Sequence, residues 1–222
     1  MQNPLLSPTY LLRIVRDLRP AHRFDTAFEI TSAWLSGLGI ELVLWDVDGT
    51  LMDYHGTGIP QQFDERIRLL FRSETTRHMI LSNCDERRFL ELARIFSEVP
   101  VVRGYTTPNG TVFRSIVGGK DSMPAARLSE VLAEGRMIRK PSGELVRMAM
   151  GSTGVNDPSR VVMVGDQYLT DIASANLAGA RGVKVNTYAR DSFPLRFATA
   201  QRLEAIGYLC RHGFSATKPF GG

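Results

Sequence analysis

At 222 residues, the chain has room for one α/β domain with a filled core and short extensions. Its 43% hydrophobic and 23% charged residues exclude a disordered polymer, and no apolar run approaches the roughly 20 residues of a bilayer span. A net charge of +4 permits an anionic partner without requiring one, and the two cysteines, Cys84 and Cys210, give neither a disulfide framework nor metal-ligand spacing.

Residues 1–10 lack a charged-then-apolar signal pattern, so a reducing, cytoplasmic setting is expected. Residues 8–19 read as an amphipathic helix, with Leu11, Leu12, Ile14, Val15 and Leu18 on one side and Arg13, Arg16 and Arg19 beside them. Gly39 opens a short apolar strand over 40–45 that ends at Asp46. A helix is expected over 61–72, a strand over 78–81, and a helix over 85–97 whose first turn holds Asp85 and Glu86. Pro108-Asn109-Gly110 separates β-prone runs at 101–105 and 111–116, a hairpin signal. Gly118-Gly119-Lys120 lacks the spacing of a nucleotide-binding loop and reads as a turn. Helices are expected over 122–134 and 142–151, a buried strand over 161–164, a helix over 168–178, a strand over 182–186, and a last helix near 196–206. Short apolar strands alternating with helices imply a parallel, Rossmann-like sheet covered on both faces, with its chemistry at the carboxyl ends of the strands.

The polar residues gather at those ends. Asp46 and Asp48 stand at i and i+2 after the first strand, on the same side of an extended segment. Burying two unpaired acids is costly, and a divalent cation resolves the conflict. It leaves one carboxylate to attack phosphorus and the other to move protons. Gly49 allows a sharp turn that brings N–H groups towards an anion. An isolated Asp-x-Asp-Gly is equally an acidic turn. Ser82 and Asn83 follow the second strand, where a hydroxyl and an N–H suit a phosphoryl oxygen; alone, Ser82 reads as a helix cap. Lys140 precedes a helix, where its ammonium can neutralise a transferring phosphoryl group; alone, it reads as a solvated lysine. The strand at 161–164 runs into Gly165-Asp166 and, further on, Asp171, which suit an oxygen-ligated Mg²⁺. His55 and Cys84, beside these segments, read as an exposed histidine and a partly buried thiol.

In this order, Asp46-Val47-Asp48-Gly49-Thr50, Ser82, Lys140 and Gly165-Asp166 with Asp171 resemble the four motifs of the haloacid dehalogenase-like superfamily of aspartate-nucleophile phosphohydrolases. The resemblance covers roughly residues 40–186. It implies that Asp46 is the nucleophile and a metal ligand, and that Asp48 is the acid/base with its carbonyl on the metal. Thr50 and Ser82 would contact phosphate and Lys140 would stabilise charge. Asp166 would bind Mg²⁺, with Asp171 supporting the metal site. The second aspartate of the pair marks phosphate-transfer members rather than carbon–halogen chemistry.

The stretch between Asp46 and Ser82 holds a flap and a helix but no folded cap domain, so a nearly capless site is expected. The expected division is an N-terminal helical extension (1–38), a catalytic domain (39–186) with a small hairpin insertion at about 100–118, and a C-terminal helix and tail (187–222). Gly165-Asp166-Gln167-Tyr168-Leu169-Thr170-Asp171 and the leading Leu-Ser-Pro-Thr-Tyr segment are similar to the capless branch that includes phosphatidylglycerophosphate phosphatases. The longer stretch from about 100 to 137 departs from it. The expected activity is Mg²⁺-dependent hydrolysis of a phosphomonoester, with that phospholipid as candidate substrate and peripheral contact with the inner face of a membrane. No nucleic-acid partner is expected. A soluble sugar or nucleotide phosphate, or a phosphate-binding regulatory domain without turnover, remains the alternative.

Overall fold

Residues 42–45, Leu-Val-Leu-Trp, form a strand in which every side chain is buried, as a strand covered on both faces requires. In the computed structural model, which describes residues 18–193, 207, 208 and 210, this strand lies mid-sheet. In chain order the elements are β1 (His22–Phe24), α1 (Ser32–Gly37), β2 (Leu42–Trp45), α2 (Gln61–Phe71), β3 (Arg77–Ile80) and α3 (Glu86–Ile95). They continue as β4 (Val101–Thr107), β5 (Gly110–Val117), β6 (Lys120–Asp121), α4 (Ala125–Glu134), β7 (Arg136–Ile138) and α5 (Glu144–Thr153). The last are β8 (Val161–Gly165), α6 (Ala173–Ala178) and β9 (Arg181–Val185).

One sheet runs in the order β1-β9-β8-β2-β3-β4-β5-β6, with β7 paired to β4 off that path. From β1 to β4 neighbouring strands are parallel, while β5, β6 and β7 pair antiparallel. The fold is the expected Rossmann-like α/β layering, but its sheet is mixed rather than purely parallel. Two tight turns account for β5 and β6, while β7 returns to β4 after a helix. Thr107 pairs with Gly110 around Pro108-Asn109, and Val117 pairs with Lys120 around Gly118-Gly119. The φ values of +55° and +74° at Gly118 and Gly119 are those a two-residue primed turn needs. The expected hairpin thus continues the main sheet. At the other end, β1 pairs with β9, so the sheet begins before residue 39.

Strand alternation sorts the core into two layers. Val43, Trp45, Val162 and Val164 face Leu35, Ile67, Leu70, Phe89 and Leu92 from α1, α2 and α3. Leu42, Leu44, Val161 and Met163 face Leu145, Val146 and Ala149 of α5 and Ala175 of α6. α3 starts at the N-cap Asp85, whose carboxylate accepts from the Arg88 N–H. The helix expected over 168–178 opens instead as a π turn, Tyr168–Ile172, before becoming α6. Leu18 is buried beside Tyr168, Ile172 and Tyr208. Apart from Leu18 and Arg19, the amphipathic helix expected at 8–19 lies outside the described residues, as does the helix near 196–206. Among the described residues no helix is long and apolar enough to cross a membrane.

Candidate active site

Asp46 is the first residue past β2, and its N–H donates to Val164 O at 2.9 Å, extending the ladder with β8. Its carboxylate is therefore set by the middle of the sheet rather than by a free loop. Lys140, two residues past β7, reaches it: Nζ lies 2.5 Å from Asp46 Oδ1, 2.6 Å from Asp171 Oδ1 and 3.0 Å from Leu81 O. Three acceptors match the three N–H bonds of an ammonium. The Lys140 backbone is held in turn by the Asn83 side-chain amide, which donates to Lys140 O at 2.9 Å and accepts from Lys140 N at 2.8 Å. Asn83 thus joins the loop after β3 to the loop after β7. The Lys140–Pro141 peptide bond is cis.

Asp171 is fully buried inside the π turn, and its other oxygen accepts from the Gln167 N–H at 3.0 Å. It packs so closely on Gly165 that a Cβ there would stand 2.2 Å from the Asp171 carboxyl carbon. Only glycine fits. Asp166, the first residue past β8, accepts from Thr187 Oγ1 at 2.8 Å. Gly49 has a φ of +83°, and a Cβ there would come within 3.0 Å of Asp166 Oδ2.

Carboxylate oxygens of Asp46, Asp166 and Asp171, all buried, lie within 4.8 Å of one another. With all three acids ionised, the single Lys140 ammonium would leave an excess of negative charge that a divalent cation could balance. Burial pushes the Asp46 carboxyl well above the ordinary carboxylate range; Lys140 opposes this, and Asp171 and Asp166 add to it. Burial and then the Asp171 charge push Asp166 up to about 7. Burial alone would lower the Lys140 pKa, yet Asp171 and Asp46 carry it above the usual lysine value, so it stays cationic. The all-oxygen, acidic donor set fits Mg²⁺, with Asp46, Asp166 and Asp171 as the side chains that would hold it.

Asp48 stands apart from this cluster. Its Oδ1 accepts from the His55 N–H at 2.8 Å and from Arg88 Nη2 at 3.0 Å. Thr50 Oγ1 is buried with no hydrogen-bond partner among the described residues. A cavity of about 500 Å³ opens over the group, lined by Asp46, Asp48, Ser82, Arg88, Lys140 and Thr170. Tyr54 and Phe193, with ring centroids 4.9 Å apart, and the exposed His55 and Arg139 stand at it too. The expected residues Asp46, Asp48, Ser82, Asn83 and Lys140 thus share one cavity, Asp166 and Asp171 lie buried against Asp46, and Thr50 is buried in the loop after β2.

Arg88 and Arg103 were not foreseen. Arg88 is 3% exposed at the start of α3. Its signal was position, four residues before Leu92 and one before Phe89, at the edge of the helix's apolar stripe. Arg103 donates to Cys84 O at 2.9 Å, Asp85 O at 2.7 Å and Glu86 Oε2 at 2.7 Å. Arg114 binds the other Glu86 oxygen at 2.6 Å and Asp121 at 2.7 Å. Both guanidinium groups lie over Phe89, at 4.4 and 5.0 Å. The hairpin is thereby bolted to the loop that carries Ser82. No sequence pattern marks a buried arginine whose acceptors are backbone carbonyls.

No curated protein matches the chain. Among solved structures, similar chains include an uncharacterized protein from Listeria monocytogenes serotype 4b, with 17% identity over 70% of this chain and 86% of that one and a TM-score of 0.41. A p-nitrophenyl phosphatase from Archaeoglobus fulgidus shows 16% identity over 87% of this chain and 68% of that one, with a TM-score of 0.24. Residues 137–201 match the family model described as HAD-hydrolase-like. The matched stretch takes in Lys140, Asp166 and Asp171.

Proposed function

We propose that the chain is a Mg²⁺-dependent phosphomonoester hydrolase that works through a phospho-aspartate on Asp46. The observation that carries this is the Asp46 carboxylate at the end of a central strand, held by Lys140 at 2.5 Å and facing a cavity beside two further buried acids. Asp46 attacks phosphorus, the bond to the leaving oxygen breaks, and that oxygen takes a proton from Asp48. Water then attacks the same phosphorus, gives its proton to Asp48, and releases Asp46 and inorganic phosphate. Lys140 holds Asp46 in place and offsets the charge gathering on the phosphoryl oxygens. Thr50 and Ser82 supply hydroxyls to those oxygens, and the Asn83 amide keeps the loops bearing Ser82 and Lys140 together. Bound Mg²⁺ would supply Lewis-acid neutralisation of the phosphoryl group.

For the substrate we propose a phosphate presented at a membrane surface, with phosphatidylglycerophosphate as the leading candidate. Its support is an approach that, between Asp48 and β3, carries only a flap and α2, and the basic, exposed Arg139 at the cavity. The basic N-terminal segment adds to this from sequence alone.

The decisive experiment is phosphate release with Mg²⁺ across soluble phosphomonoesters and phosphatidylglycerophosphate in mixed micelles, for the native chain and Asp46→Asn. Intact-mass measurement after rapid quench should find one added phosphoryl group on the native chain alone. An Asp46→Asn protein above about one per cent of native turnover contradicts the covalent route, since acid/base help and charge stabilisation alone do not replace a nucleophile. Preference for a sugar or nucleotide phosphate over the lipid rejects the substrate assignment but leaves the chemistry standing.

A further inference from the structure

We infer that Arg88 is a positioning residue for Asp48, fixing the carboxyl group so that one chosen oxygen carries the proton. This rests on the phosphatase reading above. Arg88 Nη2 donates to Asp48 Oδ1 at 3.0 Å and to Gly56 O at 2.8 Å, and lies 3.4 Å from the Met52 sulfur. Nη1 donates to Glu91 at 2.9 Å. The His55 N–H reaches the same Oδ1 at 2.8 Å, from a backbone with a φ of +55°. Two donors on Oδ1 stop the carboxyl group from rotating. Among the described residues none donates to Oδ2, and it is left as the proton carrier.

Helix stability does not explain Arg88. A cation in the first turn of α3 opposes the helix dipole, and burying a guanidinium is costly without dedicated partners. Besides Glu91 on its own helix, its partners are Asp48 and the flap, Met52 to Gly56, so one side chain ties the proton-transfer group to the segment above it.

The role predicts a dependence on leaving group. When the P–O bond breaks, phenoxide needs a proton from Asp48 more than p-nitrophenoxide does. The ratio kcat/KM reports steps up to release of that oxygen, before water attacks. Arg88→Gln should therefore lower kcat/KM about tenfold more for phenyl phosphate than for p-nitrophenyl phosphate, a milder form of the Asp48→Asn profile. In the double variant the two losses should fall well short of multiplying. Arg88→Lys, which keeps one charged donor, should recover part of the phenyl phosphate rate, and it carries the comparison if the Gln variant does not fold. Equal losses on both substrates, or losses that multiply, overturn the inference and leave the phosphatase reading intact. A native protein inactive on every phosphomonoester overturns that reading, and the inference with it.

Discussion

His78 offers a sharp test of the packing behind the site. It lies on β3, 4% exposed, beside Trp45 and Phe71. Its Nδ1 accepts from Trp45 Nε1 at 3.1 Å, and its Nε2 has no partner among the described residues. Burial lowers its pKa from 6.5 to about 4, so the folded ring stays neutral while the unfolded chain takes up a proton below pH 6.5. The stabilisation is complete above pH 6.5 and is lost as pH falls towards 4. The loss attributable to His78 is about 2 kcal/mol at pH 5 and about 3 kcal/mol in full. In His78→Gln the amide keeps an acceptor for Trp45 and cannot titrate. Urea unfolding of both proteins with chelator at pH 8 and pH 5 isolates the ring, because the other titrating groups are common to both. The stability advantage of the native chain should shrink by about 2 kcal/mol at pH 5. Parallel stability curves would refute the reasoning and mean that the folded ring titrates much as the unfolded one does.

Lys140→Ala should cost at least about a hundredfold in turnover and about 3–5 kcal/mol in stability, because it leaves two buried carboxylates facing each other. Lys140→Arg should recover little of the rate, since a planar guanidinium cannot point one nitrogen at Asp46, Asp171 and Leu81 O together; steady-state kinetics and urea unfolding check both. Gly165→Ala should destabilise by about 1–3 kcal/mol and reduce activity by displacing Asp171, whereas Gly151→Ala, in α5 with no atom within 4 Å of the new Cβ, should be neutral or slightly stabilising. Chelation should abolish turnover. By calorimetry, Mg²⁺ affinity should fall about tenfold per pH unit below about 7, because Asp166 must lose its proton to bind; affinity flat from pH 5 to 8 would remove Asp166 from the metal site.

The sequence makes legible what a strand period and a strand end encode. β2, β3 and β8 announce themselves as short apolar runs, and Asp46, Ser82 and Asp166 follow them directly or by one residue. β1, β6 and β7 did not, for a physical reason. Each is two or three residues long, with too few positions for a period, and is a strand only because a distant partner pairs with it. The six-residue α1 owes its start to the Thr31 cap rather than to a pattern. Lys140 was legible by its place between motifs, but its trio of acceptors was not, because Asp171 reaches it only through a π turn that the apolar period of 168–178 conceals. Nor could spacing say that the Asn83 amide would be bound to the Lys140 backbone.

The pairing of β2 has a kinetic consequence. Its partner on one side, β3, follows within a few dozen residues, but its partner on the other, β8, is not made until residues 161–165. During synthesis, Leu-Val-Leu-Trp leaves the ribosome with one edge unpaired while more than half of the chain is still to come. Closing that loop precedes any reward from burial, so folding should be slow, with this parallel pairing as its late step. Until it closes, Asp46 has neither Lys140 nor Asp166 beside it. A fragment released early would expose a hydrophobic strand edge to its neighbours, yet could not transfer a phosphoryl group.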